Sequence, residues 1–74
     1  MTVVLYGSEI CTACKLAKDA LGRTPIDWMY QDVSVLPNYL GIIPVLVLED
    51  GQMLEGLGAI NMFITQWKQE NGFL

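Results

Sequence analysis

Seventy-four residues with a 53% apolar share and a net charge of −4 describe one small domain, residues 1–74, with enough hydrophobic matter for a packed core. A chain this short buries only about 60–65% of the surface it exposes when unfolded, so its stability depends on packing well. Composition excludes several classes: no apolar run reaches the ~18 residues of a membrane span, and the bases Lys15, Lys18, Arg23 and Lys68 form no basic run for nucleic acid. Histidine is absent, which removes the usual general base and the usual nitrogen ligand of zinc. With no basic stretch ahead of Thr2, no signal peptide is expected, and a cytoplasmic location is.

Thr2-Val3-Val4-Leu5-Tyr6 is apolar on both faces and ends at Gly7, the pattern of a buried central strand. Gly7 to Ile10 forms the loop out of it, with Ser8 and Cys11 as candidate caps for a helix. From Cys14, the residues Cys14, Ala17 and Leu21, with Leu16 and Ala20, fall at helical spacings, while Lys15, Lys18 and Asp19 take the exposed side. Gly22 fits a residue just past the helix end, and Pro25 prevents continuation. Ile26 to Val33 alternates as a second strand, with Ile26, Trp28 and Tyr30 on one face. Strand–helix–strand is most simply a parallel pair with a right-handed crossover.

Ser34 to Ile43 has room for a turn or two of helix, with Leu36, Tyr39 and Leu40 on one face and Pro37 early. Val45 to Leu48 is a third strand, Glu49-Asp50-Gly51-Gln52 a hairpin turn, and Met53 to Glu55 the returning fourth strand. Gly56-Leu57-Gly58 breaks that strand. Ala59 to Glu70 then carries Ile60, Phe63, Ile64 and Trp67 at i, i+3, i+4 and i+7, an amphipathic helix that ends at Asn71-Gly72. The sum is an α/β domain: a four-stranded mixed sheet built as β-α-β and then β-β-α, with a short middle segment.

The chemistry centres on Cys11-Thr12-Ala13-Cys14, which holds the chain's two cysteines. The free N–H groups and positive dipole end of a helix stabilise a thiolate at its start. A dithiol there is suited to disulfide exchange: the more exposed Cys11 attacks a substrate disulfide, and Cys14 resolves the mixed disulfide. Other readings of the pair are a structural disulfide, or half of a metal or cluster site. Two thiols without histidine would then need a second chain or external thiols to complete the shell.

The run Cys11-x-x-Cys14-x-x-Ala17-Lys18-x-x-Leu21 resembles the active-site helix of glutaredoxins. The stretch Gly41 to Gly51, with Ile43-Pro44 leading an apolar strand into an Asp-Gly turn, is similar to the cis-proline strand and hairpin of thioredoxins and glutaredoxins. The resemblance implies a minimal thioredoxin-like fold with its middle helix shortened, a cis Ile43–Pro44 bond, and a disulfide-reducing dithiol at Cys11 and Cys14. It also implies a substrate groove shaped by Ile43 and Pro44. By position, Tyr6 at the end of the first strand near Cys11 is either a lining residue of that groove or a packing residue, and Gly56-Leu57-Gly58 is either a plain strand-to-helix break or a backbone site that approaches the substrate. The expected partners are a disulfide-containing protein or low-molecular-weight thiol, and glutathione or a reductase as electron donor. No cofactor, metal, nucleic acid or membrane is expected, and the chain is expected to be a monomer. The competing class is a non-catalytic module of the same fold that binds a partner or bridges an iron–sulfur cluster as a dimer. Departures from the family are specific: Glu9 stands where many glutaredoxins place a base, and Glu55-Gly56-Leu57-Gly58-Ala59 lacks the acids that hold glutathione.

Overall fold

A computed structural model describes residues 2–72; Met1, Phe73 and Leu74, the ends of the expected 1–74 domain, lie outside the described residues. The elements are β1 (Thr2–Gly7), α1 (Thr12–Gly22), β2 (Asp27–Asp32), a 3₁₀ turn (Val33–Val35), β3 (Val45–Val47), β4 (Met53–Glu55) and α2 (Leu57–Glu70). The sheet runs β2-β1-β3-β4, with β1 parallel to β2 and antiparallel to β3, and β3 antiparallel to β4. It is a small α/β fold with a four-stranded mixed sheet and two helices, compatible with a thioredoxin-like arrangement. No helix among the described residues is long and apolar enough to cross a membrane.

Strand alternation decides which face the helices cover. Val3 and Leu5 of β1 and Leu46 of β3 turn inward with Ala17 and Leu21 of α1, Ile26, and Ile60 and Ile64 of α2. Trp28, Tyr30, Leu54, Leu57, Phe63 and Trp67 pack against that cluster from its margins. Leu5 is fully buried at the middle of this layer. Leu5→Ala removes its packing without a way for the sheet to close the gap, so the unfolding free energy should fall by about 2–5 kcal/mol. A urea titration checks this, and a loss under about 1 kcal/mol would mean that this layer is not the core.

The register places Met29, Val4, Val47 and Met53 in one row across the opposite face. Met29 and Met53 are exposed there and Val4 and Val47 half-buried. The segment from 33 to 43 supplies a 3₁₀ turn rather than an α-helix. That turn starts earlier than the Leu36, Tyr39 and Leu40 spacing predicts. Asp32 caps it, its carboxylate accepting from the Ser34 N–H at 2.9 Å, and hydrogen bonding from the Ser34 side chain and then from its N–H holds the Asp32 carboxyl below the usual carboxylate range. Leu40 lies on no buried face, being 96% exposed.

The other boundaries shift by a few residues. In α1, Leu16 is 52% exposed rather than on the buried stripe, and Gly22 is the last helical residue with Arg23 as the cap. Ile26 is buried just ahead of β2, and Val33 begins the 3₁₀ turn instead of ending the strand. The hairpin closes as expected: Gly51 donates to Leu48 O and Leu48 to Gln52 O, both at 2.9 Å. Helix α2 begins before Gly58, since Gly56 at φ +93°, a conformation that side chains disfavour, is the cap residue that lets Leu57 start it.

Candidate functional site: a dithiol at the head of the first helix

Cys11 and Cys14 are joined in a disulfide. Cys11 is the N-cap of α1, extended at φ −98° and ψ 113°, and its Sγ accepts a hydrogen bond from the Cys14 N–H at 3.1 Å. The sulfur thus takes the role that a serine or aspartate oxygen plays at most helix starts. The Cys11 C=O accepts from the Lys15 N–H at 3.2 Å, the first turn's bond. Cys11 is half-buried and Cys14 fully buried. One sulfur can therefore meet a substrate, while the other waits inside.

Gly7, the last residue of β1, explains how Cys14 comes so close to the sheet. A Cβ on Gly7 would stand 2.7 Å from Cys14 Sγ and 2.9 Å from Cys14 Cβ. The same Cβ would lie 3.4 Å from the Tyr30 hydroxyl, so that phenol and the buried sulfur both approach Gly7. Lys18 of α1 holds its ammonium 4.2 Å from the centre of the Tyr30 ring. Burial, and then the negative charges of Asp32 and Glu9, push the Tyr30 hydroxyl above the ordinary phenol range. It is a neutral donor at physiological pH.

The Ile43–Pro44 bond is cis, and Pro44 is buried one step beyond the last β1–β3 pair, Tyr6↔Val45. The Gly56 N–H donates to Pro44 O at 2.7 Å. Gly56 therefore belongs to the proline's immediate surroundings through its backbone. Leu57, the next residue, packs on the core cluster. Tyr6 is half-buried at the same end of the sheet, but the alternation that turns Leu5 and Gly7 toward α1 turns Tyr6 to the opposite face.

Two side chains not among the candidate site residues, Tyr39 and Glu55, also belong here. Glu55 Oε1 accepts from the Ile42 N–H at 3.1 Å and lies 3.0 Å from the Tyr39 hydroxyl. That hydroxyl also lies 2.7 Å from Ile42 O, so its one proton is shared between two acceptors. Burial first, and then the hydrogen bond and charge of Glu55, push the Tyr39 hydroxyl up to about 12. A side chain on Gly41 would collide with Glu55 Oε1 and the Tyr39 phenol. The sequence held one signal for this, a glycine and a lone acid flanking the proline strand, but nothing in its periodicity pairs Tyr39 with Glu55.

Fold and site together define a small α/β protein with a Cys-x-x-Cys disulfide at a helix start, compatible with a thioredoxin-like fold. Comparison with family models, curated proteins and solved structures finds no match to the chain.

Proposed function

We propose that the protein is a thioredoxin-like thiol–disulfide oxidoreductase, an electron carrier that reduces disulfides of proteins or small thiols through Cys11 and Cys14. The observation that carries this reading is the Cys11–Cys14 disulfide with Cys11 as the cap of α1. A helix start offers its N–H groups to whichever sulfur bears charge, and Cys11 is the one that solvent reaches.

In the reduced protein the Cys11 thiolate attacks one sulfur of a substrate disulfide, forming a mixed disulfide and releasing the other sulfur as a thiolate. Cys14 then loses its proton to solvent and attacks the Cys11 sulfur, forming Cys11–Cys14 and releasing the second substrate thiolate. Two electrons pass from the dithiol to the substrate, whose thiolates take up protons from solvent. A donor dithiol, or two molecules of glutathione, restores the reduced protein. Ile43 and Pro44 line the groove that receives the substrate.

Offering the oxidised protein glutathione and, separately, a thioredoxin reductase with NADPH tests the reading and identifies the donor. Reduction by either supports the carrier, and the faster route names its electron source. A protein that neither reduces, and that purifies with a visible chromophore, would instead be the cluster-bridging module.

A further inference from the structure

Every backbone polar group adjoining Ile43 is already committed. Ile42 N–H donates to Glu55 Oε1, and Ile42 O accepts from the Tyr39 hydroxyl. Pro44 has no N–H, and its carbonyl accepts from Gly56. Ile43 itself is half-buried, and its N–H and C=O make no hydrogen bond among the described residues. One unpaired donor and one unpaired acceptor on a single residue next to a strand are what a peptide chain satisfies by antiparallel pairing.

Packing does little to hold this arm in place, since Leu40 is 96% and Ile42 64% exposed. What holds it is polar: Glu55, at the end of β4, reaches back to Ile42 and Tyr39 across a stretch of chain that Gly41 keeps clear. Removing the carboxylate frees the Ile42 N–H as a second donor beside Ile43 and releases the arm from the sheet.

We propose that Glu55 and Tyr39 form a latch that fixes Ile43 for pairing with a peptide chain, making both of them positioning residues for disulfides carried on an extended peptide. This rests on the oxidoreductase reading above. A small alkyl disulfide has no backbone to pair and meets Cys11 alone, so the latch separates the two substrate classes.

The test compares wild type, Glu55→Ala, Glu55→Gln and Tyr39→Phe on an extended peptide linked by a disulfide and on bis(2-hydroxyethyl) disulfide. Amide exchange at Ile42, read by NMR, accompanies each variant. In Glu55→Ala, kcat/KM for the peptide should fall about 5–20-fold through KM, the worth of a hydrogen bond or two. The small disulfide should change by less than about twofold, and Ile42 exchange should accelerate about 10-fold or more. Glu55→Gln keeps an acceptor oxygen and should restore most of both properties, and Tyr39→Phe should fall between. Unchanged Ile42 exchange in Glu55→Ala would mean there is no latch. Faster exchange with an unchanged peptide KM would overturn its positioning role. A wild-type protein inert toward both substrates would instead defeat the oxidoreductase reading, and the latch's role with it, before any variant is compared.

Discussion

Cys11→Ser should bring disulfide turnover down to the uncatalysed background, a loss of at least about 100-fold, whereas Cys14→Ser should stop the reaction halfway. The asymmetry comes from exposure. Cys11 caps the helix half-buried and, in the proposed function, supplies the attacking sulfur; Cys14 is fully buried and bonded to Cys11. Without Cys14, attack by Cys11 still opens the substrate disulfide, but no second thiol releases the product. With no free thiol in solution, Cys14→Ser should accumulate a one-to-one mixed disulfide, seen as an adduct mass that dithiothreitol removes. An adduct on Cys11→Ser instead would reverse the two roles, and wild-type turnover by both single variants would remove the dithiol from the mechanism.

Gly7→Ala should damage the site from beneath. The new methyl would fall 2.7 Å from Cys14 Sγ and 2.9 Å from its Cβ, closer than side chains tolerate. Cys14 cannot swing away while it is bonded to Cys11 and enclosed by the sheet. The first turn of α1 must therefore lift, weakening the Cys14 N–H bond to Cys11 Sγ. Overpacking of this kind costs about 1–3 kcal/mol. Urea unfolding of the oxidised variant should show that loss, and closure of the reduced dithiol by a small oxidant should slow as well. An unchanged urea midpoint would mean that α1 does not seat on Gly7. The effect should be specific to this position, since a Cβ on Gly22 or Gly58 meets nothing within 4 Å.

Much of this was legible in the chain itself, where local pattern and global fold agree. The two-sided apolar run of Thr2 to Tyr6, the Asp50-Gly51 turn, and the spacing from Ile60 to Trp67 each mark an element that the structure contains. The cysteine pair and Ile43-Pro44 were readable as motifs, and the cis bond is present. What failed to read was decided by contacts distant in sequence or by single capping bonds. Val33 looks like a strand residue by its branched side chain, yet the Asp32 cap turns it into a 3₁₀ start. Tyr39 looks like one stripe of a helical turn, but its hydroxyl goes to Ile42 O and to Glu55, sixteen residues on. Gly56 and Gly58 read as breakers of the fourth strand, and only the first lies outside α2. Helix periodicity carries no information about such bonds, so the arm before Pro44 came into view only with the fold.

The proposed function requires Cys11 and Cys14 to cycle reversibly between dithiol and disulfide. Its decisive test is to equilibrate the protein across a series of glutathione or dithiothreitol buffers and read the thiol fraction by alkylation and mass. A single two-electron transition involving both cysteines is expected, with a midpoint between about −150 and −290 mV, the span of thiol–disulfide carriers. A pair that stays oxidised far below that span would be a structural disulfide, and the protein would then not be an electron carrier.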